Sequence, residues 1–266
     1  MVTLSYDFQN QTRNWSGASG APAADNDDKQ IKTSFVTLEA QYLFNSTWGI
    51  QIELPYAYRN FETISSATGK LATLGWGSLG DIRIKGIYTG LSSDQSIGLT
   101  FGFKLPTGNW RYNDAHDDID RDTEIGSGST DLLIGGYVLK KFTSDNTWRW
   151  FAQALYDQPM FSQGGYCPGV EVDAAAGVYY NGWSAGNTMI KPIAQITYSH
   201  RASDSGVHAS NPVASGYDRI LLSPGIEIDH KRFSLNARVG IPVYQRVTGN
   251  QLVASALVSA SVSYKF

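Results

Sequence analysis

The sequence predicts an all-β protein. It reads as one transmembrane antiparallel up-and-down β-barrel of about twelve strands over residues 1–266, with both termini on the periplasmic side. Three observations carry this expectation. Apolar and polar residues alternate with a period of two in segment after segment, which puts one strand face in a greasy phase and the other in a polar phase. The composition suits such strands: charged residues are 17%, below the roughly 25% of soluble domains, while aromatics reach 12% and mean hydropathy is only -0.25. Long and short connections alternate, as they must when each strand crosses and the next returns. No run approaches the roughly 18 apolar residues of a spanning helix.

The last stretch, LVASALVSASVSYKF (252–266), sets the pattern. Leu252, Ala254, Ala256, Val258, Ala260, Val262, Tyr264 and Phe266 share one face. The other face is mostly Ser and ends in Lys265. Closing on an aromatic, with a Tyr two before it, resembles the final strand of a bacterial outer-membrane barrel and the signal read there by the barrel assembly machinery. Met1 is followed directly by strand-like VTLSYDF, so the sequence is expected to be a mature form from which a signal peptide has been removed. The single Cys167 excludes an intramolecular disulfide framework, and a net charge of -3 gives no ground for nucleic-acid binding.

The remaining strands follow in order. The first, about 2–13, sets Leu4, Tyr6 and Phe8 against Ser5, Asp7 and Gln9. A polar loop leads to a second strand, about 31–44, with Val36, Leu38, Ala40, Tyr42 and Phe44 outward. Asn45-Ser46-Thr47 turns into a third, about 48–61, and a Ser/Thr/Gly-rich loop is expected over about 62–79. The fourth, about 80–91, opens on Asp81; the fifth, about 96–106, has the cleanest alternation. The longest loop, about 107–128, is expected to fold inward because it is long and charged. Strands at about 129–141, 147–157, 170–180, 188–200, 217–229 and 233–246 complete the set, with Tyr244 read as inward beside Ser234, Asn236 and Arg238. Tyr42, Phe44, Trp48, Trp148, Trp150, Trp183, Phe233 and Phe266 fall near short-turn ends. Tyr58, Phe61, Trp110, Tyr156 and Tyr198 fall near long-loop ends, as two interfacial girdles would require.

Function must reside in the inward faces and the loops. The alternation places Glu39, Glu53, Arg59, Asp81, Arg83, Lys85, Lys104, Arg149, Asp173, Lys191, Arg219, Glu227 and Arg238 on the lumen, with Asp7, Asp131, Asp157, Glu171 and Asp229. Both signs occur in similar numbers, whereas a pore selective for one sign carries a one-sided ring. The charges either line a wet, weakly selective channel or pair across a narrow lumen and close it. Asp118, Asp120, Asp122 and Glu124 put carboxylates at every second position of the longest loop, a hard-oxygen set that Ca²⁺ would accept, although the Gly and distal Glu of an EF-hand loop are missing. A solvated acidic loop explains the same residues. Outer-membrane lipid hydrolases need a hydroxyl nucleophile and a His at the rim. Here His200 and His208 lie near Ser199, Ser203 and Asp204, but no motif of such enzymes accompanies them, and no enzymatic activity is expected.

SLGD (78–81), KLPTG (104–108) and GSGSTD (126–131), each beside a strand, resemble the outer-membrane transporters of the "MetA-pathway of phenol degradation" family over about residues 78–141. The resemblance implies an outer-membrane channel for small molecules, with hydrophobic or aromatic compounds as the substrate class and membrane lipid around it. The same motifs also serve as turn chemistry, since Pro106 lacks a ladder donor and glycines permit unusual backbone angles. An occluded barrel acting structurally, or binding partners through its long loops, is the alternative expectation.

Overall fold

A computed structural model describes the whole chain except residues 116–118, 208 and 210–213. In chain order the strands are β1 Val2–Gly17, β2 Asp28–Leu43, β3 Trp48–Ile64, β4 Leu71–Leu79, β5 Ile82–Tyr88 and β6 Ile97–Leu105. They continue as β7 Ser129–Lys141, β8 Trp148–Ser162, β9 Glu171–Tyr180, β10 Thr188–Arg201, β11 Tyr217–His230 and β12 Phe233–Tyr264. The sheet runs β9-β8-β7-β6-β5-β3-β2-β1-β12-β11-β10, and β10 pairs back to β9. The result is an antiparallel barrel of eleven closed strands, with β4 and a few two- or three-residue strands added at its rims. A closed sheet has no unpaired edge, so each strand satisfies its backbone inside the wall.

β12 is a single run of 32 residues. Its first half pairs with β11 and its second half with β1, the change falling at Val247. The run folds back on itself: Lys265 N donates to Arg232 O at 2.9 Å, and the Phe233 and Tyr264 rings lie 5.1 Å apart. Gly249 turns the backbone with φ of 70°, a region L-residues avoid.

The short turns owe their shape to side-chain acceptors. Asn45 Oδ1 takes the amides of Thr47 at 2.8 Å and Trp48 at 2.9 Å, and Asp145 Oδ1 takes Thr143 Oγ1 at 2.5 Å and Thr147 N at 3.1 Å. Both are local bonds that substitute for a ladder at a tight reversal. Both termini lie at this short-turn end, where Val2 pairs with Tyr264 and Met1 N donates to Gln41 O at 2.8 Å.

The outer face carries an apolar band that includes Leu38, Ile52, Ile84, Leu99, Phe103, Ile134, Ile196, Leu222 and Ile241, all exposed. At the short-turn end it is bordered by paired rings: Trp48 with Tyr88 at 4.8 Å, Trp148 with Tyr180 at 5.1 Å, and Tyr180 with Trp183 at 5.7 Å.

Four local expectations change. Most of the segment expected to be a loop at 62–79 is a hairpin: β3 continues to Ile64 and pairs with β4 from Leu71 to Leu79. Its glycines mislead as loop signals, because Gly77 makes room for the ring of Tyr56 on the neighbouring strand. β4 and β5 then form one interrupted strand along β3, broken at Gly80-Asp81 opposite Pro55, which has no amide to give the ladder. Tyr244 is outward and 44% exposed, because a bulge between Ile220 and Leu221 shifts the register and exchanges the faces. Irregular pairing between Gln9 and Arg13 likewise turns Leu252 and Ala254 into the lumen. Phe61 and Trp110 leave the expected girdle: Phe61 is an inward residue 1% exposed, and Trp110 lies under the guanidinium groups of Arg111 and Arg121.

Candidate functional site

The lumen is a string of four cavities that share lining residues. At the short-turn end an inner cavity of about 530 Å³ holds Arg149, Lys191 and Glu227, and Arg238 joins it to a middle cavity of about 690 Å³. Glu39, Glu53, Lys85, Asp173 and Arg219 line the middle cavity. Glu53 continues into a third space of about 510 Å³ lined by Asp81, Arg83 and Lys104. Asp122 and Arg201 join that space to an outer cavity of about 660 Å³, where Arg59 and Arg219 lie. All thirteen lumen residues singled out in the sequence therefore line one or another of these spaces.

Six of the thirteen, Glu53, Arg83, Lys85, Lys104, Lys191 and Glu227, are ion-paired along the wall. Lys85 Nζ lies 2.5 Å from Glu53 Oε1, and Arg83 lies 3.8 Å from Glu53 and 4.0 Å from Asp157. Lys104 bridges Asp157 at 3.0 Å and also meets the fully buried Asp131. Lys191 pairs with Glu227 at 2.9 Å and with Asp229. Most of these partners sit on neighbouring or next-but-one strands, β3 with β5, β6 with β7 and β8, and β10 with β11, while Arg83 on β5 reaches past two strands to Asp157 on β8. A pair made sideways along the wall removes the desolvation cost of an isolated charge without drawing opposite walls together.

The longest loop enters the barrel at the long-loop end. Its Ile119 is 3% exposed and packs on the inward Phe61 and Trp76, with Ile31, Leu74, Tyr112 and Ile125 around them. Tyr112 stacks on Trp76 at 4.8 Å. Arg59 Nε donates to Thr33 Oγ1 at 3.1 Å, and its Nη1 donates to Thr123 O of the loop. Arg121 lies over the rings of Trp110 and Tyr166 at 4.6 and 4.7 Å.

The loop's two ends are held by one carboxylate. Asp81 Oδ1 accepts from Gly108 N at 2.9 Å, and Asp81 Oδ2 accepts from Ser127 N at 2.8 Å and Ser127 Oγ at 2.5 Å. Thr107 Oγ1 closes the ring, donating to Gly80 O at 3.1 Å and accepting from Ile82 N at 2.9 Å. The three short motifs of the sequence thus meet at the Gly80-Asp81 break. A carboxylate suits this place because it accepts several N–H and O–H groups at once and holds each more strongly than a neutral acceptor would.

The acidic residues of the loop do not converge. Glu124 Oε1 accepts from Asn113 N at 2.5 Å, and Asp120 and Asp122 are both exposed and line the outer cavity. Asp118 lies outside the described residues. Among the described residues no three His, Cys, Asp or Glu side chains come together as a metal would require. Enclosure by the barrel, with Asp120 beside it, raises the Asp122 carboxyl to about 6.

The rim residues are also apart. Ser199 Oγ donates inward to Asp173 at 2.5 Å, while the neighbouring His200, on the opposite strand face, meets Asp218 at 2.8 Å. Ser203 Oγ donates to Ser215 O at 2.6 Å, Asp204 holds Arg201, and His208 lies outside the described residues.

Sequence reasoning passed over Tyr137, Phe151 and Tyr179, which line the inner cavity. The signal was present: each shares parity with a polar inward residue of its own strand, namely Asp131, Arg149 and Asp173.

No protein-family model matches the chain, and no curated protein matches it. Among solved structures it is similar to the COG4313 outer membrane channel from Pseudomonas putida F1, with a TM-score of 0.69 and 10% identity over 100% of this chain and 94% of that one. It is also similar to the β domain of the Bordetella autotransporter BrkA, with a TM-score of 0.53 and 11% identity over 100% of this chain and 99% of that one. At these identities the likeness is one of fold, and the fold is that of bacterial outer-membrane β-barrels.

Proposed function

We propose that the chain is an outer-membrane channel that passes small water-soluble molecules along its lumen. In this reading the barrel has twelve strands, the two halves of β12 counting separately, and its short-turn end with both termini faces the periplasm. The apolar band lies in membrane lipid, and the loop at 107–128 forms the constriction.

The observation that carries the reading is the run of cavities from the long-loop end to the short-turn end, each sharing lining residues with the next. The wall-side ion pairs support it, because they hold charges against the wall without tying opposite walls together. The lining also bears on substrate. Gln, Ser, Thr and charged side chains dominate the middle cavity, which favours solutes that keep polar contacts over plain hydrocarbons. An aromatic substrate is compatible with this lining when its ring carries a polar group.

The test is single-channel conductance of the refolded protein in a planar bilayer. Steady current that rises with salt is the expected result. Silence under all voltages would sink the channel reading in favour of an occluded barrel whose work is done by its loops.

A further inference from the structure

The lumen charges are balanced overall but sorted by depth. The described lining of the outer cavity includes six aspartates, among them Asp28, Asp120 and Asp122, against Arg59, Arg201 and Arg219. The inner cavity reverses the sign, with Arg149, Lys191, Arg238 and Lys265 against Glu227. Lys191 is satisfied by Glu227 and Asp229, and Arg149 Nε is held by Asn146 Oδ1 at 2.6 Å. Arg238 is different. It is exposed within the lumen between the inner and middle cavities, and among the described residues it makes no hydrogen bond or ion pair.

The same cavity holds three aromatic rings, Tyr137, Phe151 and Tyr179. Tyr137 and Phe151 lie flat against the wall because the facing positions on the next strands are glycine. A Cβ on Gly98 would run into the Tyr137 ring, and one on Gly177 would come within 2.7 Å of Phe151. Tyr179 stands 6.5 Å from Phe151, centroid to centroid. A ring flattened on the wall keeps the passage open and turns its free face to the cavity. At about 530 Å³ the space falls within the roughly 300–1,000 Å³ usual for small-molecule pockets.

We propose that the inner cavity is a binding site for a small aromatic carboxylate. The carboxylate would pair with Arg238, backed by Arg149, and the ring would stack on Phe151 and Tyr137. Arg is suited to this because its planar fork bonds both carboxylate oxygens, and offset stacking adds to the contact. This inference rests on the channel reading only for its role in transport; the site itself requires only the barrel.

The experiment keeps the two apart. Benzoate binding to the refolded protein in detergent is followed by ligand-observed NMR titration, and conductance is measured separately in bilayers. Benzoate should bind, acetate and benzylammonium should bind at least several-fold more weakly, and Arg238→Gln should weaken benzoate roughly tenfold, the loss of one charge-assisted contact. Among the described residues the Arg238 side chain holds no partner, so R238Q leaves their bonds intact. Phe151→Leu should weaken benzoate while leaving acetate unchanged. Equal binding of benzoate and benzylammonium, or benzoate affinity unaltered by R238Q, would overturn the site. Arg238-dependent binding by a protein that is silent in the bilayer would uphold the site and reject the channel.

Discussion

Asp81→Ala should free both ends of the loop at 107–128 that enters the barrel. The wild-type carboxylate receives three hydrogen bonds, from Gly108 N, Ser127 N and Ser127 Oγ. Hydrogen bonds to a charged group contribute about 1.5–3 kcal/mol each, and a buried amide left unpaired costs about 1–3 kcal/mol. The three bonds share one acceptor and do not add fully, so a loss of about 3–6 kcal/mol at the loop ends is reasonable. The loop's centre keeps a separate anchor, since Ile119 stays packed on Phe61 and Trp76, a burial of about 1.5–3 kcal/mol. The loop should therefore loosen at its ends without leaving the barrel. Hydrogen exchange on protein in nanodiscs reads this directly: protection of the Gly108 and Ser127 amides should fall by roughly two to four orders of magnitude. Mean conductance and current noise should rise together. Asp81→Asn should fall between, because only one of its two terminal atoms accepts. Wild-type protection at both amides in Asp81→Ala would refute the idea that this carboxylate holds the loop.

Three further outcomes are expected. Lowering pH from about 7.5 to 5 should favour the docked loop and reduce conductance. The folded-state value of Asp122 is raised to about 6 from its ordinary 3.8, so its stabilising effect is full below the lower value and lost as pH rises through the upper. Asp122→Asn should flatten that response, and an identical pH profile in the variant would assign it to another group. Lys104→Met strands the buried Asp131 and leaves Asp157 only the Arg83 contact at 4.0 Å; it should cost about 3–5 kcal/mol, seen as a lower urea midpoint in liposomes, and an unchanged midpoint would show the Lys104 pairs to be dispensable. Gly102→Val should block folding, because any Cβ there meets the backbone of Ile84, and normal refolding yield on a heat-modifiability gel would contradict the close strand approach.

The barrel was legible because its signal is repeated. Alternation in β6, from Ile97 to Leu105, or in β2, from Val36 to Leu43, fixes which face is apolar without knowledge of any partner strand. Errors fell where the period breaks. The bulge at Ile220/Leu221 turns Tyr244 outward, and irregular pairing near Gln11 turns Leu252 inward, because one extra residue exchanges the faces of everything after it. Nothing local to Tyr244 announces the bulge, since the extra residue is defined by its pairing with β11. The hairpin from Leu71 to Leu79 was hidden for another reason. Its glycines read as turn residues alone, and only beside Tyr56 does Gly77 become a place for a ring.

The site was legible in membership and illegible in arrangement. Parity alone picks out Glu53, Lys85 and Arg238 as inward, but depth along the barrel depends on stagger between strands, which the sequence does not state. The sequence reads Asp122 as a loop carboxylate and Arg238 as a lumen residue, and only the fold sets them at opposite ends of one path, an acidic mouth and a basic inner end. That separation alters what balanced charge means for transport. A lumen neutral at every depth would treat small ions of either sign alike, whereas one acidic outside and basic inside presents a field along the path. Cations should be enriched at the mouth and anions at the inner end. Current through a single channel should then differ in size between opposite voltages, and the asymmetry should shrink as salt rises from about 0.1 M to 1 M and the screening length falls from about 10 Å to 3 Å. Arg149→Gln combined with Arg238→Gln should reduce the asymmetry further at low salt. A current–voltage curve symmetric at low salt would show that the sorted charges do not act on the permeating ions.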